Sequence, residues 1–356
     1  MTDEPPPTAS LWSRLRSFIA RLFRRPAPQP GRFESGSKFS WHGWIGVAPW
    51  VWPSRDYIVY VPLGHTRWQR RPLLVLLHGC RQTPEEFAAG SRIASFADEN
   101  GWLVLLPRQT KHANGWGCWN WFDRRTVSGK GEAAIVAAQV RAVRRLYGAH
   151  PRRIFLLGMS AGACLAAIVA MRSAKLFAAV GLHSGVACGA ASSPAMALDV
   201  MAHGSRVDID AIAFEARSAT STRVLPVPAC IVHGENDRVV AQANSTQLLR
   251  QFLIFNGRFA PGAAADLPAA DRTATSELAN GRTMTTEDYR LDGRVVARRV
   301  RVDRLGHAWS GGDDAFAYND REPPDATRLF VDFFAAQLAR KSSAGKVGGK
   351  PWLSKA

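Results

Sequence analysis

Between Tyr57 and Arg340 the chain alternates short apolar runs with stretches of helical period. Segment 56–61 (DYIVYV) alternates polar and apolar positions and suits a strand at a sheet edge. LLVLL at 73–77 is an unbroken apolar run, as a strand buried on both faces of a parallel sheet must be. Further strands are expected at 102–106, 153–157, 177–181, 229–232 and 294–302, and helices at 84–100, 132–147, 161–172 and 325–340. Segment 256–288 is rich in Ala, Gly and Thr and reads as an insertion or long loop. Strand–helix alternation of this kind implies an α/β class, with a mostly parallel sheet covered by helices on both faces. No internal repeat is visible.

Composition adds exclusions. With 356 residues, 46% hydrophobic and 21% charged, the chain can bury a core, so neither wholesale disorder nor a fibrous repeat fits. No run approaches the length of apolar sequence that a spanning helix needs. The formal charge of +17 raises an anionic partner as a question, but much of it is terminal. Residues 1–38 carry +4 and residues 340–356 carry +5. Basic clusters also stand at Arg141, Arg144, Arg145, Arg152 and Arg153, and at Arg298, Arg299, Arg301 and Arg304. No helix-turn-helix, zinc-finger or RNA-recognition signature accompanies them, so nucleic acid is not an expected partner.

The termini are read as a basic amphipathic extension (1–38) and a basic flexible tail (341–356) flanking a catalytic domain at 39–340. Within 10–25, Leu11, Trp12, Leu15, Phe18, Ile19, Leu22 and Phe23 share one helical face, with arginines mostly elsewhere. Such a helix suits an anionic membrane or granule surface, or packing on its own domain. Arg16 and Arg21 interrupt any secretory core, and prolines follow Arg24-Arg25 where export through a twin-arginine signal needs an apolar run. The five cysteines show no metal-ligand CxxC spacing, so neither a structural metal nor a cofactor is expected.

The sharpest chemical feature is Gly158-Met159-Ser160-Ala161-Gly162, between a predicted strand and a predicted helix. That context is a nucleophile elbow, whose glycines permit a tight turn presenting the serine hydroxyl. A serine needs an oriented base, and in this arrangement acid and histidine follow it in the chain. Asp237, just past strand ACIVHG, suits the acid, with Glu235 as local rival and Asp208, Asp210 and Asp303 as distant ones. His307, in the loop LGHAWSGG, suits the base over His78, His183, His203 and His233. Two amides must meet the developing oxyanion: Ala161, after the nucleophile, and Cys80, in the HGC turn after LLVLL. Aromatics crowd GWGCWNWFD, and Trp309 adjoins His307, so Trp309, Trp119 and Trp121 are candidate substrate contacts in an apolar cleft.

Taken in order, HGCRQ, CWNWF, GMSAG, HGENDRVV and GHAWSGG resemble the poly(3-hydroxybutyrate) depolymerase family of esterases, α/β-hydrolases related to feruloyl and acetylxylan esterases. The resemblance covers roughly residues 55–337. It implies Ser160, Asp237 and His307 as a triad, the Cys80 amide in the oxyanion hole, a Cys80–Cys118 disulfide, and an extracellular setting, although no signal peptide is recognisable. Ala163 stands where the family often has glycine, and no polymer-binding domain or Ser/Thr-rich linker follows. The expected activity is serine carboxylester hydrolysis of short-chain polyhydroxyalkanoate or its oligomers. The alternatives are a feruloyl or acetylxylan esterase, and a surface-binding protein with a vestigial pocket.

Overall fold

A computed structural model describes residues 30–44, 53–220, 226–262 and 266–343. The amphipathic segment 10–25 and the tail beyond 343 lie outside the described residues. One ten-stranded sheet organises the molecule. Its strands are β1 (Arg32–Phe39), β2 (Ser54–Val61), β3 (Leu73–Leu77), β4 (Leu103–Pro107), β5 (Ile154–Met159), β6 (Ala179–His183), β7 (Ala229–Gly234), β8 (Arg272–Glu277), β9 (Thr283–Leu291) and β10 (Arg294–Val302). Their spatial order is β1-β2-β4-β3-β5-β6-β7-β10-β9-β8. Strands β4, β3, β5, β6, β7 and β10 run parallel, and antiparallel pairs close both margins.

The central strands are buried on both faces, as continuous apolar runs require. One core cluster joins Val75, Leu77, Leu156 and the helix after β5; another, across the sheet, joins Leu74, Leu76, Phe155, Phe330 and Phe334. Helices therefore cover both faces: α1 (Pro84–Gly90), α2 (Ile93–Asn100), α3 (Arg124–Val127), α4 (Gly131–Leu146), α5 (Ala161–Arg172), α6 (Pro194–His203), α7 (Ile209–Ser218), α8 (Gln242–Phe255) and α9 (Ala326–Ser343). This is the α/β-hydrolase architecture expected from the sequence. None of the described helices is long and apolar enough to cross a membrane.

Four expectations change. The helix expected over 84–100 is two helices, because Arg92 turns left-handed at φ 54°. The carbonyls of Gly90 and Ser91 accept from the Asp313 amide and the Thr327 hydroxyl instead of continuing the helix. DYIVYV does not lie at the edge: β2 is flanked by β1 and β4. Strand β1 spans residues 32–39, so a boundary drawn at residue 38 cuts a sheet strand. The region 256–288, expected as a loop, contains β8 and most of β9. Their β-branched threonines suit a pleated margin better than the Ala/Gly content suggested.

Candidate active site

Ser160 sits between β5 and α5 at φ 54° and ψ −124°, a conformation a non-glycine residue occupies only when its surroundings impose it. Its amide donates to the His183 carbonyl (2.9 Å), and its carbonyl accepts from Cys164 (3.0 Å). A Cβ at Gly158 would strike the Gly162 carbonyl, and one at Gly162 the carbonyls of Leu77 and His78. The glycines thus let the start of α5 press against the end of β3, beside the HGC turn.

Asp237 follows β7 and is buried. Its Oδ1 accepts from the amides of Val239 (2.9 Å) and Val240 (2.8 Å). Its Oδ2 lies 2.8 Å from His307 Nδ1. Burial opposes ionisation, but the hydrogen bond and charge of His307 and the Val240 amide outweigh it, holding the carboxyl at about 2. The rival acids are occupied elsewhere: Glu235 with Arg301, Asp303 with Arg304 and Asp210 with Arg250, while Asp208 caps α7. His233 is buried and bonds the Val240 carbonyl (2.8 Å). His183 is buried against Trp309, and burial, then its neighbours His233 and His307, push it down to about 3.

The loop after β3 is tied on several sides. His78 Nδ1 is 2.8 Å from the Gly79 carbonyl, an acceptor, so that nitrogen carries the proton and Nε2 accepts from the Gln109 amide (3.2 Å). Burial keeps this ring neutral, its pKa pushed down to about 4. Trp119 donates to the His78 carbonyl (3.1 Å), and Cys80 is joined to Cys118. Gln82 accepts from the Gly79 amide (2.9 Å) and donates to the Ala317 carbonyl (3.2 Å), linking this loop to the segment beyond His307. Beneath lies Glu132, fully buried, which accepts from Gln109 (2.5 Å) and from the amide and side chain of Asn120 (2.6 and 2.8 Å). Arg55 stands 3.8 Å away. Burial raises the Glu132 carboxyl, with Arg55 and these donors opposing. The Cys80 amide has no acceptor among the described residues. The Ala161 amide opens a helix and has no intrahelical acceptor. Two donors are thereby left beside the serine.

Ser160, His307 and Cys80 line one cavity of about 520 Å³, walled by Trp116, Leu198, Val239 and Tyr318. The proposed aromatic contacts are not among its walls. Trp309 is 1% exposed, packed against Phe87, His183 and Phe330, with its indole N–H on Thr327. Trp119 and Trp121 are 1% and 4% exposed. Their apolar surface goes to the core, where an aromatic gains most. Trp116, 64% exposed, is the indole that reaches the cavity. Its signal was its place between two glycines, Gly115 and Gly117, both of which border open space. Sequence reading also missed Gln82, Gln109 and Glu132, each of which has a partner far along the chain: Ala317 for Gln82, and Arg55 for the other two.

A strand–turn–helix elbow, a buried acid oriented on a histidine, and free amides beside the serine define an α/β-hydrolase site. The family model described as Esterase PHB depolymerase matches residues 55–274, and the chain belongs to that family. Poly(3-hydroxyalkanoate) depolymerase C of Paucimonas lemoignei is 29% identical over 224 residues, 62% of this chain and 54% of that protein. Poly(3-hydroxybutyrate) depolymerase of Ralstonia pickettii is 23% identical over 297 residues, 79% of this chain and 57% of that protein. The chain thus spans a little over half the length of these relatives. Among solved structures, an acetyl xylan esterase from Aspergillus awamori aligns with a TM-score of 0.62 at 20% identity, covering 78% of this chain and 94% of that one. That likeness is one of fold.

Proposed function

We propose that this chain is a serine carboxylester hydrolase acting on short-chain polyhydroxyalkanoate, such as poly(3-hydroxybutyrate), or on its oligomers. One observation carries the reading: a strained serine and a histidine bonded to a buried carboxylate face the same cavity. Because His307 Nδ1 donates to Asp237, Nε2 is left to take the Ser160 proton. Ser160 Oγ then attacks the ester carbonyl. The amides of Cys80 and Ala161 meet the oxyanion, a contribution worth roughly 10²–10³ in turnover per donor. His307 returns its proton to the departing alkoxide, leaving an acyl-enzyme on Ser160. Water, activated by the same histidine, releases the acid. Asp237 stays ionised throughout and stabilises the imidazolium.

The walls fit neutral, short acyl units: Trp116, Leu198 and Val239 are exposed apolar residues at the cavity. The segment 10–25 is proposed to hold the enzyme on an anionic membrane or granule surface, tested by sedimentation with liposomes or polymer granules with and without residues 1–30. Equal sedimentation removes that anchor. For the reaction, Ser160→Ala is expected to abolish hydrolysis of p-nitrophenyl butyrate while the fold persists. Activity retained in that variant overturns the assignment. A panel of hydroxybutyrate oligomers, methyl ferulate and acetylated xylan then fixes the substrate class, and preference for either of the last two replaces the polyester.

A further inference from the structure

Next to the catalytic cavity lies a larger one, of about 820 Å³, and the two share Arg81, Gln82 and Trp116 as a common wall. Its character differs. Arg55, Arg81, Arg108 and Lys111 line it, with Asp56 and Glu86 as the acids. Several of these charges are committed. Arg55 faces Glu132 and Gln109, and Arg108 is paired with Glu85. Glu86 accepts from the amide and hydroxyl of Thr83, which orient the carboxylate and leave its charge in place. Arg81 and Lys111 form no ion pair among the described residues, although both line the cavity. Asp56 has no side-chain bond among them, and Arg81 and Lys111 are the lining cations that no carboxylate engages.

Arg81 is also held in place. It follows Cys80 directly, stands at φ 61°, and its amide donates to the Trp116 carbonyl (3.0 Å). Its guanidinium lies 4.5 Å over the Trp116 ring. A planar, oriented fork of donors beside an oxyanion amide suits recognition of a carboxylate.

We propose that this second cavity is a carboxylate-binding subsite, in which Arg81, assisted by Lys111, holds a free carboxylate that the substrate carries away from its scissile ester. The inference rests on Ser160 being the nucleophile in the adjoining cavity. A carboxylate of this kind ends every hydroxyacid oligomer, and uronates supply one on acylated polysaccharides. In the first case the subsite reads chain ends and favours release of terminal units over internal cuts.

The test is a series of dicarboxylic acid half-esters, from ethyl succinate to ethyl sebacate, each paired with its diester. The wild-type protein is expected to show a half-ester to diester ratio of kcat/KM above one, peaking at one chain length. Arg81→Gln should lower that ratio roughly 3- to 10-fold, and Lys111→Gln by less. About 0.5 M NaCl should lower it in the wild type. A ratio at or below one at every length overturns the subsite, as does a ratio that neither variant moves. Diester hydrolysis surviving Ser160→Ala overturns the nucleophile instead, so the two failures are distinguishable. Free-acid and methyl-esterified hydroxybutyrate trimers, set against acidic and neutral acetylated xylo-oligosaccharides, identify the source of the carboxylate.

Discussion

Asp237→Asn isolates the part of the site on which base chemistry depends. The substitution is isosteric, and its outcome follows from the hydrogen bonds. Oδ1 already receives the amides of Val239 and Val240, so the asparagine oxygen must stay there. Its NH₂ then faces His307 Nδ1, in place of an acceptor 2.8 Å away. The ring has to accept at Nδ1 and carry its proton on Nε2, where it can no longer take one from Ser160. An inverted tautomer of this kind costs roughly 10⁴ in turnover in serine proteases, about 5.5 kcal/mol of barrier. Stability responds separately. A carboxyl held at about 2 against an ordinary 3.8 contributes on the order of 2 kcal/mol. Its folded pKa is depressed, so this contribution is present above pH 3.8 and lost as pH falls through about 2. The variant should therefore be less stable than wild type at neutral pH and approach it in acid. Turnover of p-nitrophenyl butyrate and chemical unfolding at several pH values measure both effects. Turnover within tenfold of wild type in a folded protein refutes the tautomer argument, and so does equal damage from Glu235→Gln.

Further consequences follow from the packing. Gly162→Ala drives a methyl group into the carbonyls of Leu77 and His78, backbone atoms with nowhere to go. A loss of about 1–3 kcal/mol with a fall in turnover is expected, and an unchanged melt with full activity counts against the close approach. Cys118→Ser opens a 38-residue loop. On chain entropy this costs at most about 4 kcal/mol, read as a lowered denaturant midpoint that added reductant should reproduce in the wild type. Burial lowers His78 to about 4, His183 to about 3, and His233 in the same direction. Each folded pKa lies below the ordinary 6.5, so the unfolded chain binds more protons in between. Stability should then fall as pH drops from about 6.5 toward 4; a flat urea midpoint over that range contradicts it.

The central sheet was legible because buried parallel strands write themselves as unbroken apolar runs, LLVLL above all. The elbow was legible because its glycines, serine and flanking elements are consecutive. Asp237 and His307 were legible as residue types after strand ends, although their contact joins positions 70 apart. What escaped was encoded in partners rather than neighbours. The break at Arg92 depends on Asp313 and Thr327 taking two helix carbonyls. Trp309 looked like a substrate contact because it follows His307 so closely, yet its ring is claimed by Phe330 and His183. Glu132 read as one acid in a helical segment, while its four neighbours Arg55, Gln109, Asn120 and Thr126 come from other elements.

Charge shows the same limit and sets up a last test. Arg298 and Arg299 read as part of a basic cluster, but β9 places Asp288 and Glu287 directly opposite them, at 2.6 and 2.5 Å. Missing that strand meant missing the neutralisation. Arg152 and Arg153 form no ion pair among the described residues, and they precede β5, whereas Ser160 follows it. Six strand residues, at about 3.3 Å each, put them about 20 Å from the nucleophile. That is about two Debye lengths at 0.1 M salt, so their field at the catalytic mouth is largely screened. Arg81, adjoining Cys80, acts at contact range. Replacing Arg152 and Arg153 together by Gln should accordingly leave the half-ester to diester ratio within twofold of wild type, while Arg81→Gln lowers it. If both changes lowered the ratio equally, the preference would belong to the field of the whole molecule, and the local carboxylate site would be unnecessary.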